Sequence, residues 1–377
     1  MQWINQLRLS LVLAMVGVVL LVGIPCSPAQ AAKKGKSITV KTFDGVELSG
    51  TLYPNAGGKR DAVAVLMHHI DTKKGGSSAA EGWSQLINDL LADGYTVLRF
   101  DFRGFGESKT VDKDKFWKYQ HNINNINQSK RGDTIDYKNF RANYFPYLVN
   151  DLAAIKAYLD RRNDARELNS GNIVLIGAGD AAAIGNLWLA NESKRRRDKS
   201  GGAIGAMIAL GEPEVRDVAA AIWLTPTSKI GAKTVPLATH QKWVQEAGKL
   251  HKVPMAFVYG SKDGPTADIA NKLSSVIKTG SKPKEFPHTV LEKIPDTNQK
   301  YADLLTRDNG ASTWIVRKYL PKVMEDRGAI ERIERDVIKS PYYYVTAKGA
   351  VPILQKAPGI DVSEIKLSLL WPGLIGS

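Results

Sequence analysis

The stretch from Asn172 to Leu189, NIVLIGAGDAAAIGNLWL, has the spacing of a turn built to present a nucleophile, and the nucleophile is missing. The apolar run Ile173, Val174, Leu175, Ile176 is followed at once by Gly177, Ala178 and Gly179, then by Ala181 to Ala183 and Gly185. Residues this small let a buried strand bend sharply into a helix with the two backbones close together. In a G-x-S-x-G elbow the reactive hydroxyl stands two residues after the first glycine, and here that place is Gly179. Glycine has no atom with which to attack a carbonyl. Shifting the frame by one residue sets Asp180 between Ala178, Gly179, Ala181 and Ala182, which would make it a carboxylate nucleophile. An acid in the first turn of a helix is also favoured by the macrodipole without any chemistry.

Other residues could take part. His68 and His69 close an apolar run, with Asp71 two residues on, while His240 follows Thr225-Pro226-Thr227-Ser228 by a short span. A hydroxyl such as Ser228 or Ser77 beside one of these imidazoles would have the parts of an activated nucleophile. Adjacent histidines on a strand end face opposite ways, which disfavours a shared metal ion on His68, His69 and Asp71. Neither a metal nor another cofactor is therefore expected.

The elements that must position these groups alternate. Ile38, Val40, Val46, Leu48 and Leu52 around Asp44-Gly45 read as a hairpin. Compact apolar runs follow at Ala62 to Met67, Thr96 to Phe100, Ile173 to Ile176, Ala219 to Leu224, Pro254 to Tyr259 and Val290 to Ile294, each suited to burial on both faces. Between them Trp83, Leu86, Ile87, Leu90 and Leu91 share one helix face, as do Leu148, Leu152, Ile155 and Leu159, and Ile269, Leu273 and Ile277. The pattern predicts an α/β fold, a doubly wound and mostly parallel sheet of eight strands with right-handed crossovers. Two regions break the rhythm. Residues of about 110–147, rich in asparagine, lysine and aromatics, form an insertion after the fourth strand, a lid or a decorated loop. Beyond Glu325 a C-terminal extension carries Ile330, Ile333, Val337 and Ile338 at helical spacing.

The segment Asp101-Phe102-Arg103-Gly104-Phe105-Gly106-Glu107-Ser108 follows the strand ending in Val97-Leu98-Arg99-Phe100. With the elbow, the opening hairpin and His68-His69 after the third strand, it resembles the α/β-hydrolase superfamily over about residues 38–320. The look is that of single-domain esterases, dienelactone-hydrolase-like proteins and serine aminopeptidases. The resemblance implies acyl transfer by a serine, an acid and a histidine in that chain order. It makes Asp263, in Tyr259-Gly260-Ser261-Lys262-Asp263-Gly264, the counterpart of the acid; the other reading is a turn aspartate bonded to its own backbone. It places the histidine in the loop PDTNQKYADLLTRDN after the last strand, which has none, and His288 precedes that strand. It also makes His69 stand where the family's oxyanion loop has glycine, and implies ligand contacts at His68, His69, Ala178 and Asp180.

Composition limits what surrounds this site. With 43% apolar and 24% charged residues among 377, the chain is of globular type. Arg8, the apolar stretch Leu9 to Ile24, and Ala29-Gln30-Ala31 predict a signal peptide over residues 1–31, cut after Ala31, and a secreted or periplasmic protein; an N-terminal membrane anchor is the alternative. Cys26, the only cysteine, lies inside that leader, so no disulfide or thiol chemistry is expected of the rest. The net charge of +14 admits an anionic envelope polymer as partner. The densest basic run, Lys194-Arg195-Arg196-Arg197 with Lys199, also suits a solvated helix end, and no nucleic-acid motif is present.

These readings divide the chain into a leader (1–31), a hydrolase-like domain (32–325) and an extension packed upon it (326–377). The preferred function is an exported hydrolase-fold protein without serine hydrolysis, a pseudoenzyme that binds a small or acyl-type ligand or a partner over the old active-site rim. The alternatives are an esterase, lactonase or peptidase-like hydrolase with a non-standard nucleophile or base, and a basic cell-envelope interaction protein.

Overall fold

Six short apolar runs and an alternating hairpin, bounded by turn residues, form the central sheet of the computed structural model. The model describes residues 35–55, 61–127, 131–198, 210–280, 282, 285–335, 342–348 and 351–357. The expected leader with Cys26, and Lys199, Val337 and Ile338, lie outside the described residues. The strands are β1 (Lys36–Lys41), β2 (Glu47–Tyr53), β3 (Val63–Met67), β4 (Thr96–Phe100), β5 (Ile173–Ala178), β6 (Val218–Leu224), β7 (Met255–Gly260) and β8 (Val290–Ile294). They lie in the order β1-β2-β4-β3-β5-β6-β7-β8; β2 runs antiparallel to both its neighbours and all other pairs are parallel.

Alternation along each strand feeds two cores. Val63, Val65 and Met67 of β3 face one core with Leu175, Trp223 and Phe257, while Ala64 and Leu66 face the other with Val174, Ile176 and Val258. On the first face lie α2 (Val149–Asp164), α3 (Asp180–Glu192), α4 (Leu237–Val244) and α5 (Gly264–Lys278). On the second lie α1 (Trp83–Ala92), presenting Trp83, Leu86, Ile87 and Leu90, and α6 (Leu320–Arg327). Helices on both faces are what a buried parallel sheet requires. Gly185 of α3 shows how tight this layer is: a Cβ there would stand 2.4 Å from the Trp223 ring.

The insertion is packed, with Phe116, Tyr137, Phe140, Tyr144 and Phe145 buried in the first core. It is fixed through Arg103, which is wholly buried. The Arg103 guanidinium donates to Asp151 of α2 (2.7 Å), to both oxygens of Asp44 in the β1–β2 turn (2.6 and 3.2 Å) and to the Tyr144 hydroxyl (3.2 Å). Asn122 of the insertion donates to Asp44 (3.2 Å) and accepts from Tyr144 (3.0 Å). Burial raises the Asp44 carboxyl, but the Arg103 charge and hydrogen bonds from His121, Arg103 and Thr42 outweigh it and hold it well below its usual range. Asp151, where burial prevails over the same arginine, is raised to about 6.

Two expectations are corrected. Ile330 and Ile333 are on no helix: α6 ends at Arg327, capped by Gly328, and the residues after it form no regular element, with the carbonyls of 330 and 333 accepting from Asn169 and Asn163 (2.8 Å each). Ile333 is 62% exposed, so its spacing marked no core face. The basic run is not a solvated helix end, because Arg195–Asp198 is a strand and Arg195 is buried against Glu192 (3.1 Å). That strand belongs to a second, antiparallel sheet with Leu210–Pro213, Tyr342–Lys348 and Val351–Ala357, which the apolar pattern did not announce. Among the described residues no helix is long and apolar enough to cross a membrane.

Removing Arg103 leaves two buried carboxylates without their cation. Arg103→Ala should lower the unfolding free energy in urea by about 3–5 kcal/mol, most of it from the uncompensated charge.

Candidate functional site

The loops at the C-terminal ends of β3, β5, β6, β7 and β8 meet over one point, the first turn of α3. Gly179 joins β5 to α3 at φ 57° and ψ −118°, a conformation that non-glycine residues rarely hold. Its N–H donates to Leu224 O of β6 (2.8 Å), which pins the elbow to the sheet. A Cβ at Gly179 would lie 2.4 Å from His69 Nδ1 and 2.6 Å from the Tyr301 ring. The space into which a nucleophile would project is therefore filled by two rings. They stack on each other with centroids 3.7 Å apart and an 11° tilt.

His69 reaches this place because it leads out of β3, while His68 turns the other way. Burial lowers His69 to about 4, so its imidazole is neutral at pH 7, and Nδ1 accepts the Asp180 N–H at 3.4 Å. That N–H is the donor an oxyanion would need. His68, expected on the rim, is a core residue: Nε2 accepts the Phe102 N–H (3.1 Å), Nδ1 pairs with His69 O (2.8 Å), and burial lowers its pKa. Ala178 is likewise buried in the sheet beneath the elbow and offers no rim contact.

Asp180 points toward the loop after β6. Its carboxyl accepts from the Thr227 hydroxyl and from Gly231 N–H (2.9 Å) and is almost wholly buried. Burial pushes it up to about 7, against those two hydrogen bonds and the nearby Lys229.

Asp263 caps α5, accepting from Thr266 N–H (3.4 Å) and the Thr266 hydroxyl (2.6 Å). Its other partner comes from the loop after β8, where the resemblance wanted a histidine. Lys300 Nζ lies 3.1 Å from the Asp263 carboxylate oxygens. An ammonium donates but has no lone pair with which to take a proton. The next residue is Tyr301, at φ 57°, whose N–H donates to Thr225 Oγ1 (2.9 Å); Thr225 is itself at φ 45°. Burial raises the Tyr301 phenol, with Asp180, Asp71 and Asp263 adding to the shift.

The remaining candidates lie apart. Ser77 donates to Asp101 (3.2 Å). His288 Nε2 is 2.6 Å from Asp326 at the opposite end of the sheet. Ser228 and His240 do meet: Oγ is 3.3 Å from Nδ1, and Nε2 is 3.0 Å from Asn186 Nδ2. Burial lowers His240 to about 3. Among the described residues no group of three or more histidine, cysteine, aspartate or glutamate side chains gathers as metal ligands. Lys300, Tyr301, Thr225, Thr227 and Asn186 were not singled out from sequence. The only signal for the first two was their place in the loop that lacked a histidine.

No family model matches the chain, and no curated protein matches it. The sheet order, the crossover helices and the elbow decide the architecture. The fold is that of the α/β hydrolases. Among solved structures the chain is similar to a dienelactone hydrolase from Anabaena variabilis, at 12% identity over 77% of this chain and 98% of that one, TM-score 0.44. It is similar to the Pyrococcus furiosus esterase Pf2001, at 16% over 77% and 93%, TM-score 0.48. It is also similar to a putative α/β hydrolase of unknown function from Agrobacterium tumefaciens, at 14% over 78% and 100%, TM-score 0.45.

Two outcomes follow from this geometry. Gly179→Ser should lower stability by about 2–4 kcal/mol in urea unfolding, from the positive φ and the crowding by His69, and should confer no ester turnover. Asp180 binds its proton more tightly folded than unfolded. Its contribution to stability is thus full below about pH 4 and is lost as the pH rises through about 7, by at most about 4 kcal/mol. Asp180→Asn should remove that slope, so the variant gains on the wild type between pH 4 and 8 in paired unfolding curves.

Proposed function

We propose that this chain is a hydrolase-fold protein without serine-hydrolase activity, whose C-terminal rim is a binding surface. The observation that carries the reading is the His69–Tyr301 stack seated over Gly179. Three parts of acyl transfer are each occupied otherwise. The nucleophile's space holds two rings, the Asp180 N–H is bonded to His69, and the acid is held by Lys300. Losing parts that act as a unit removes a mechanism rather than weakening it.

The neighbouring rim offers polar groups in place of chemistry. Lys74 and Lys229 are exposed near Asp71 and Asp180, and Lys300 is half-exposed beside Tyr301. Lys233 donates to Asn143 (2.8 Å), which ties the hairpin after β6 to the insertion and walls the rim on that side. A small or acyl-type ligand bearing a carboxylate fits these surroundings.

One contact favours a second reading, a hydrolase with a displaced nucleophile: Ser228 Oγ against His240 Nδ1, with Asn186 behind the imidazole. The same three residues also tie the loop after β6 to α3 and α4. Burial makes this imidazole a weak base, and among the described residues no carboxylate supports its protonated form.

Purified full-length protein should hydrolyse none of a panel of short- and long-chain activated esters above the buffer rate. Turnover abolished by Ser228→Ala in a folded variant would establish the second reading. Turnover abolished by Asp263→Ala would return the chemistry to the old site and overturn the proposal.

A further inference from the structure

Helix α3 carries the elbow at its first turn and ends at Glu192, a carboxyl that the rim does not use. Glu192 is wholly buried. Arg195 Nη2 lies 3.1 Å from one of its oxygens without the geometry of a hydrogen bond, and among the described residues neither oxygen accepts one. A carboxylate so placed has lost its water and gained no donor, which is the costly way to bury a charge. The helix adds to the cost, because its C-terminal end is the negative pole of the macrodipole.

Charged neighbours come from every element that packs there. Helix α2 contributes Lys156 and Asp160, which pair at 2.5 Å, and the Ser170 hydroxyl donates to Asp160 (2.6 Å). The turn Glu214–Asp217 contributes Glu214 and Asp217; Lys156 reaches Asp217 at 2.9 Å and Arg335 reaches it at 2.7 Å. Arg327 is drawn to Asp217 as well and donates to the carbonyls of Gly171 and Arg216. The first strand of the second sheet, Arg195–Asp198, contributes Arg195, and also Arg196 beside Glu212, Glu214, Arg216 and His251. Of these, two cations, Arg195 and Lys156, and two carboxylates, Glu214 and Asp160, act on Glu192. Its own charge would be a third negative one against two positive. Burial pushes the Glu192 carboxyl up to about 7, Glu214 and Asp160 add to the shift, and Arg195 and Lys156 oppose it.

The place of Arg195 decides what the proton controls. Three residues past Glu192, Arg195 begins the strand that pairs Arg195, Arg196 and Arg197 with Tyr344, Tyr343 and Tyr342. The chain therefore passes from α3 into the second sheet across this carboxyl. We propose that Glu192 is a proton-dependent latch between α3 and the second sheet, closed while the carboxyl is neutral and loosened once it ionises. Ionisation leaves an uncompensated charge in the seam, and the carboxylate regains water when the strand after it lifts. A group that binds its proton more tightly in the closed seam than in water holds the seam most firmly below its ordinary pKa, and that hold is lost as the pH rises through about 7. The latch does not rest on what the rim binds.

The test is hydrogen exchange of the full chain, read by mass spectrometry on peptides covering 195–198 and divided by the intrinsic rate at each pH. Opening of this strand should be about 10-fold more populated at pH 8 than at pH 6, the ratio imposed by a carboxyl raised from 4.5 to about 7. Glu192→Gln should abolish that ratio, while Asp180→Asn and His251→Asn should leave it. Should Glu192→Gln fail to fold, Glu192→Met is read in its place. Equal protection of the wild type at the two pH values overturns the proposal. So does a ratio that persists without the Glu192 carboxyl, or one that Asp180→Asn removes, since the opening would then be global unfolding.

Discussion

The backbone at residue 179 sits in the conformation of a nucleophile elbow, and most of the candidate site depends on that one bend. Gly179 N–H on Leu224 O sets where β5 stops against β6. Thr225 follows immediately at φ 45°, and its hydroxyl receives the Tyr301 N–H. Tyr301, also at positive φ, then lays its ring on His69, which holds the N–H of the residue after the bend. Glycine adopts its conformation freely, but Thr225 and Tyr301 each hold theirs at a cost of about 1 kcal/mol or more. The stack and the backbone hydrogen bonds offset that cost. The strain at Thr225 and Tyr301 positions the ring that lies on His69.

Lys300 decides what Asp263 can do. A histidine opposite a carboxylate can shuttle a proton between substrate and solvent, its orientation fixed by the acid. An ammonium in the same place makes an ion pair that anchors the loop after β8 to the cap of α5. The loop gains a fixed path, and Tyr301 gains the position from which it reaches His69. Cation and ring therefore lie in sequence along one loop, anchored by the acid at the cap of α5.

The sheet was legible in the sequence because a strand buried on both faces leaves a continuous apolar run, and all eight strands belong to the six apolar runs or to the opening hairpin. Helix α1 was legible through Trp83, Leu86, Ile87 and Leu90, and the elbow through its small residues. The second sheet was not, since Arg195–Asp198 carries four charged residues and pairs through its backbone, which no side-chain period records. Ile330 and Ile333 misled because spacing shows which residues would share a helix face, not whether side chains such as Asn163 and Asn169 take up their carbonyls in place of a helix. At the site, the empty nucleophile position was readable from one residue. Its filling was not, because His69 and Tyr301 are more than two hundred residues apart and meet only through the fold.

The D-x-R-G-x-G-x-S segment carried the resemblance, and its contacts are all scaffold. Asp101 accepts from Ser78 N–H (2.6 Å), the Ser77 hydroxyl (3.2 Å) and Glu107 N–H (3.0 Å), while Ser108 links Asp101 O (2.7 Å) to Ser49 N–H (2.8 Å). Arg103 joins the first hairpin, the insertion and α2. None of these bonds requires a serine at 179 or a histidine after β8, so the segment can persist whether or not the elbow reacts. It says that the sheet, its loops and the inserted corner are locked together.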